Sequence, residues 1–249
     1  MNVLSIGNSF SQDAQTYLHA ISRAEHDPIF CVNLYIGGCS LEQHFRNIMG
    51  DKREYEIQVC GKRSGFYTSI QEALLSRQWN VVTLQQVSHE SADFKNYTPF
   101  LEEIASYVRK LSPTAKVYLH ETWGYEDGSA RLANQGFDTM EDMSEKIFAS
   151  YEKARAVIQA DGIIPSGHGM LALKRAADVS VHRDTFHAGL GGPRYLLGCI
   201  WYETLTGKSV ACDTFSDFDV EVSCEEAALA RKIAHDTVNE LKKGNTYDE

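Results

Sequence analysis

Two short segments carry residue types suited to nucleophilic chemistry. Gly7-Asn8-Ser9-Phe10-Ser11 follows the apolar run Val3-Leu4-Ser5-Ile6 and opens a stretch with helical spacing. A serine at that junction can present its hydroxyl at the end of a strand, and a helix start offers unpaired N–H groups to an oxyanion. Far along the chain, Asp184-Thr185-Phe186-His187 sets a carboxylate three residues before an imidazole. At that spacing the carboxylate can hold one ring nitrogen as N–H and leave the other free to act as a base. Each segment alone has a plainer explanation. Ser9 or Ser11 could simply cap the helix, and Asp184 could be a capping residue beside a solvent-exposed His187. Gly189, Gly191 and Gly192 follow, and allow either a close backbone approach or a loose loop.

The elements that must position these residues alternate between strand and helix. Buried strands are expected over residues 3–6, 29–36, 81–84, 116–120 and 162–165. Helical spacing marks residues 12–24, 41–49, 70–76, 99–111, 140–160, 170–177, 190–205 and 224–243. Residues 51–66 are mixed, with hairpin character around Gly61-Lys62, and residues 124–138 form a Gly-, Asn- and charge-rich loop near the sheet's edge. This alternation predicts an α/β fold, a three-layer α/β/α sandwich around a flavodoxin-like parallel sheet of about five strands, in one domain spanning residues 1–249. Ligands of such sheets bind beyond the carboxyl ends of the strands. That rule points to Gly7-Asn8-Ser9, Gly37-Gly38, residues 85–88 and residues 120–123.

Composition narrows the function classes. Hydrophobic residues make up 43% and charged residues 23%, as in an ordinary globular protein. With 34 acidic against 24 basic side chains the formal charge is −10, so a nucleic-acid partner is not expected. Apolar runs fall well short of the ~20 residues of a membrane helix, so no membrane partner is expected. No basic region precedes Val3, which predicts a cytoplasmic protein, or a secreted or periplasmic one if a leader has been removed. The six cysteines form no C-x-x-C pair and are expected to be free thiols, mostly buried. No G-x-G-x-x-G follows the first strand, which argues against a nucleotide-binding protein.

Taken together, the two reactive segments resemble the first and last blocks of the SGNH/GDSL hydrolases. The G-N-S of L-S-I-G-N-S-F-S corresponds to the nucleophile block and gives Ser9. The D-T-F-H block gives Asp184 and His187, and its trailing A-G-L-G-G is also similar. The family's second block, a glycine after strand two, matches Y-I-G-G-C-S. The resemblance implies that the N–H groups of Ser9 and Gly38, with Gly37 as the fallback, form an oxyanion hole. In the third block the chain departs from the family, whose G-x-N-D supplies an Asn amide; here L-Q-Q-V-S-H-E-S holds no Asn. Ser88 falls at the Asn position by register. Gln86 has the amide chemistry, is similar to the Q-G-E of the carbohydrate acetylesterase branch, and is the expected third donor.

The resemblance implies a serine esterase that works through an acyl-enzyme, without metal or organic cofactor, on a small-molecule or carbohydrate ester. An O-acetylated carbohydrate is the substrate expected from the analogy and from Trp123, which ends the fourth strand at the ligand-binding edge and could stack on a sugar or simply pack. Ser88 is expected to help bind that substrate. The competing expectation is a weak or inactive carbohydrate-binding protein on the same fold, supported by the missing Asn. Other residues have plainer roles: Trp79, Tyr17, Tyr195 and Tyr202 in packing, His168 in a loop, and His89 and Glu90 near the site without a metal.

Overall fold

In the computed structural model, which describes residues 1–177 and 180–245, seven strands form one sheet in the order β4-β3-β2-β1-β5-β6-β7. They are β1 (Asn2–Gly7), β2 (Phe30–Tyr35), β3 (Tyr55–Val59), β4 (Lys62–Thr68), β5 (Val81–Leu84), β6 (Lys116–His120) and β7 (Gly162–Ile164). β2, β1, β5, β6 and β7 run parallel, which is the expected five-stranded flavodoxin-like order. The mixed segment after residue 51 adds an antiparallel hairpin to this sheet, β3 pairing with β2 and β4 with β3. Its turn needs glycine at Gly61, which has φ +78° and where a Cβ would come within 2.6 Å of the Thr16 carbonyl.

Ten helices among the described residues cover the sheet. α3 (Leu41–Met49), α4 (Ile70–Leu75), α5 (Phe100–Leu111) and α7 (Met140–Ile158) pack with one another. α1 (Ser9–Gln15), α2 (Leu18–Ala24), α8 (Ser166–Ala176), α9 (Gly192–Thr206) and α10 (Cys224–Asn245) form the second group, with α9 at its centre. α6 (Ala130–Asn134) lies in the segment expected to be loop. The helix expected over 12–24 is two helices that part at Thr16 and Tyr17, where the hairpin turn at Gly61 meets the chain. α8 begins four residues earlier than its apolar spacing shows, because Ser166, Gly167 and Gly169 carry no apolar side chain yet are buried.

The central strands are buried on both faces, as their continuous Val, Leu and Ile runs require. Trp79, Tyr17, Tyr195 and Tyr202 pack in the core. All six thiols are free; Cys31, Cys39 and Cys199 are buried, Cys60 is half-buried, and Cys212 and Cys224 are exposed. Among the described residues, no helix is long and apolar enough to cross a membrane.

Candidate active site

Ser9 is the first residue of α1, directly beyond the carboxyl end of β1. It does not cap the helix. Asn8 does: its side-chain oxygen accepts from Phe10 N–H at 3.0 Å, and the Asn8 N–H donates to Ser11 Oγ at 3.0 Å. This reciprocal cap satisfies the helix start and leaves the Ser9 hydroxyl free for other partners. The turn requires glycine at Gly7, where a Cβ would lie 2.2 Å from Ser11 Oγ.

A buried polar chain fixes Asn8 from below. Gln85 Nε2 donates to Asn8 Oδ1 at 2.7 Å, and Gln85 Oε1 lies 2.8 Å from His120 Nδ1. His120 Nδ1 therefore donates to Gln85, and Nε2 accepts from the Ser166 hydroxyl at 3.1 Å. Complete burial pushes the His120 pKa down to about 3, so the ring stays neutral.

The second reactive segment returns to this point from the far end of the chain. His187 Nε2 lies 2.8 Å from Ser9 Oγ, and His187 Nδ1 lies 2.8 Å from Asp184 Oδ2. Asp184 Oδ1 also accepts from the His187 backbone N–H at 2.9 Å. Burial works to raise the Asp184 pKa. The two hydrogen bonds from His187, with the charge of Arg183 nearby, outweigh it and hold the carboxyl below its usual range. Asp184 is thus a carboxylate, His187 Nδ1 carries the proton, and Nε2 faces the serine as acceptor.

The segment holding Asp184 and His187 is a tight turn. His182 and Ala188 bridge across it, and Arg183 N–H donates to the His187 carbonyl at 3.1 Å. Thr185 sits at φ +73°, in the left-handed region that β-branched residues avoid. Three contacts hold this turn. Glu126 N–H donates to the Thr185 carbonyl at 2.8 Å, and Trp123 Nε1 donates to the Phe186 carbonyl at 2.8 Å. The third is Asp13, fully buried on α1 one helical turn after Ser9. Its carboxylate accepts from Arg183, from Arg194 and from the Ala188 N–H.

The reactive groups open onto a cleft of about 390 Å³, within the roughly 300–1,000 Å³ of small-molecule sites. Ser9, Gly37, Gly38, Ser88 and His187 all border it. Gly38 adopts φ +65°, a conformation that glycine takes without strain. Among the described residues, nothing accepts a hydrogen bond from the N–H of Ser9 or of Gly38.

Two expected residues do not border the cleft. The Gln86 amide is buried and engaged elsewhere: Nε2 donates to the Asn96 carbonyl at 2.8 Å, and Oε1 accepts from Leu41 N–H at 3.0 Å and Val87 N–H at 2.8 Å. It ties the end of β5 to the start of α3, and its buried amide does not reach the cleft where an oxyanion would form. Trp123 is fully buried and stacked on Phe10, with ring centroids 4.1 Å apart. It supports the nucleophile helix and the His187 turn from within and offers no face to a sugar. Ser88, by contrast, reaches the cleft, with its Oγ 2.9 Å from the Tyr125 hydroxyl.

Sequence patterns alone miss Asp13, Arg183 and Tyr125. Asp13 had a signal, since it falls beside Phe10 and Ala14 on the core-facing stripe of α1. A carboxylate there must be paired to be tolerated.

No curated protein matches the sequence. Among solved structures, a DUF4886 family protein from Bacteroides uniformis superposes with a TM-score of 0.88 at 29% identity, over 96% of this chain and 95% of the other. A candidate SGNH hydrolase from Slackia heliotrinireducens gives a TM-score of 0.58 at 22% identity, over 82% of this chain and 98% of the other. A candidate GDSL-like lipase from Parabacteroides merdae gives 0.54 at 16% identity, over 81% and 94%. The last two likenesses show that the fold is that of the SGNH/GDSL hydrolases. The family model described as a domain of unknown function, DUF4886, matches residues 2–237, and the chain belongs to that family.

Proposed function

We propose that the protein is a serine hydrolase that cleaves carboxylic esters through an acyl-enzyme. The observation that carries this reading is the hydrogen-bonded line Ser9 Oγ–His187 Nε2 and His187 Nδ1–Asp184 Oδ2, 2.8 Å at each step. A binding protein has no use for a hydroxyl, a base and an orienting carboxylate so aligned.

In the proposed reaction, Ser9 Oγ attacks the ester carbonyl while His187 Nε2 takes its proton. Asp184 holds the ring orientation and stabilises the imidazolium. The Ser9 and Gly38 N–H groups receive the charge that develops on the carbonyl oxygen. Each such donor contributes ~3 kcal/mol when it acts mainly on the transition state. The third donor is the hydroxyl pair Ser88–Tyr125. The two share one hydrogen bond, so one O–H proton remains for the cleft. His187 then protonates the departing alcohol, and water, activated by the same imidazole, releases the acyl group from Ser9.

The test is hydrolysis of 4-nitrophenyl acetate by the whole chain and by single variants. Ser9→Ala and His187→Ala should each lose kcat by ~10³-fold or more, with Asp184→Ala less severe. Turnover by Ser9→Ala at the parent rate would refute the proposal.

A further inference from the structure

The charge lining the cleft opposes the charge of the chain. The sequence holds 34 acidic and 24 basic side chains, yet the cleft wall bears Arg131 and Arg183 and no Asp or Glu. Arg183 is already committed to Asp13. Arg131 is not committed to a carboxylate: among the described residues no Asp or Glu lies within ion-pair distance of it.

Arg131 is held by aromatic rings. Its guanidinium carbon stands 3.9 Å from the centroid of Phe186 and 5.8 Å from that of Tyr125. Stacking of this kind occupies the flat face of the guanidinium and leaves its in-plane N–H groups pointing outward. Phe186 in turn lies against His187, with ring centroids 3.8 Å apart. Arg131 is therefore a fixed cation one aromatic ring removed from the base, with N–H groups available on the wall of the cleft. A planar fork of donors suits a carboxylate or a similar oxyanion group, and charge-assisted bonds of this type are roughly twice as strong as neutral ones.

We propose that Arg131 reads an anionic group on the substrate, so that the preferred substrates are esters carrying a carboxylate or comparable oxyanion close to the scissile bond. This inference rests on the hydrolase reading above and narrows it. It also departs from a neutral acetylated sugar, for which the cleft wall provides no exposed tryptophan. Arg131 is exposed, but the acidic surface does not oppose the pair, because a direct contact acts well inside the ~10 Å screening length that damps charges spread over the exterior.

The experiment uses two matched pairs of esters. Mono-4-nitrophenyl glutarate against 4-nitrophenyl pentanoate places the charge on the acyl side. 3-Acetoxybenzoate against its methyl ester places it on the alcohol side. For each pair the ratio of kcat/KM, anionic over neutral, is measured in the parent and in Arg131→Gln and Arg131→Lys. Dividing the parent ratio by the variant ratio cancels the intrinsic reactivity of the esters. In at least one pair, Arg131→Gln should lower the ratio by about tenfold or more, mainly through KM, and Arg131→Lys should retain part of it. The pair that responds identifies the side of the ester that carries the charge. An unchanged ratio in both pairs, with Ser9-dependent turnover intact, would overturn the anion subsite and leave the hydrolase reading standing. Turnover that persists in Ser9→Ala would remove both.

Discussion

Asp13 and Arg183 lie 170 residues apart in sequence, yet Arg183 Nη1 reaches both carboxylate oxygens of Asp13, at 2.9 and 2.8 Å. Asp13 belongs to the helix that begins with Ser9, and Arg183 directly precedes Asp184. This ion pair, joined by Arg194, is the clamp that registers the His187 turn on the nucleophile helix. Asp13→Ala would strand two guanidinium groups, and breaking a buried pair costs about 3–5 kcal/mol. Urea unfolding should show a loss of that order, and the ester rate of the folded fraction should fall because His187 loses its fixed distance to Ser9. Asp13→Asn should retain the Ala188 N–H contact and fall between. Parent-like stability and rate in both variants would show that the clamp is idle.

The third oxyanion donor can be tested by paired substitutions. Gln86→Ala leaves the N–H groups of Leu41 and Val87 without their acceptor, so it should destabilise by about 1–3 kcal/mol and leave kcat of the folded protein within a few-fold of the parent. Ser88→Ala or Tyr125→Phe should lower kcat by ~10²-fold with a smaller change in KM. A large kcat loss confined to Gln86→Ala would mean that its amide turns into the cleft during catalysis.

How far the site could be read from sequence depends on what each residue's signal reports. Leu41–Met49 and Val81–Leu84 were legible to the residue, because their apolar spacing matches a period the fold enforces. Ser9, Asp184 and His187 were legible because their chemistry and their place at chain turns coincide. Gln86 has the amide chemistry expected of the third donor but not the direction. Neighbours at a strand's end point to opposite faces, so Gln85 goes under the Ser9 turn and Gln86 goes toward α3. Trp123 follows β6 at the right edge but turns inward, a choice made by the Phe10 ring and the Phe186 carbonyl, which only the tertiary structure brings near. Arg131 lies in a stretch whose Gly, Asn and charge content marks it as loop, and nothing local announces a short helix aimed at the cleft.

Acid should weaken the fold before most carboxylates titrate. His44 and His120 are fully buried, and burial pushes each pKa from 6.5 down to about 3. Between pH 6.5 and 3 the unfolded chain binds protons at these rings that the folded chain does not. Stability therefore falls as pH drops through that window and is fully present above it. From pH 7 to 5 each ring should cost ~2 kcal/mol. Urea midpoints measured at both pH values should show the drop, and His120→Gln should reduce it by about half. A pH-independent midpoint across that range would mean that these rings are protonated in the folded protein or not buried.

Incubation with a fluorophosphonate probe, followed by mass mapping of the modified peptide, puts the claim that Ser9 is an activated nucleophile to its most direct test. A serine whose hydroxyl proton is drawn toward His187 Nε2 at 2.8 Å should form one adduct, on the peptide containing Ser9. Labelling should vanish in Ser9→Ala and slow by orders of magnitude in His187→Ala. An adduct on another serine, such as Ser11 or Ser88, or labelling of Ser9→Ala at the parent rate, would contradict it.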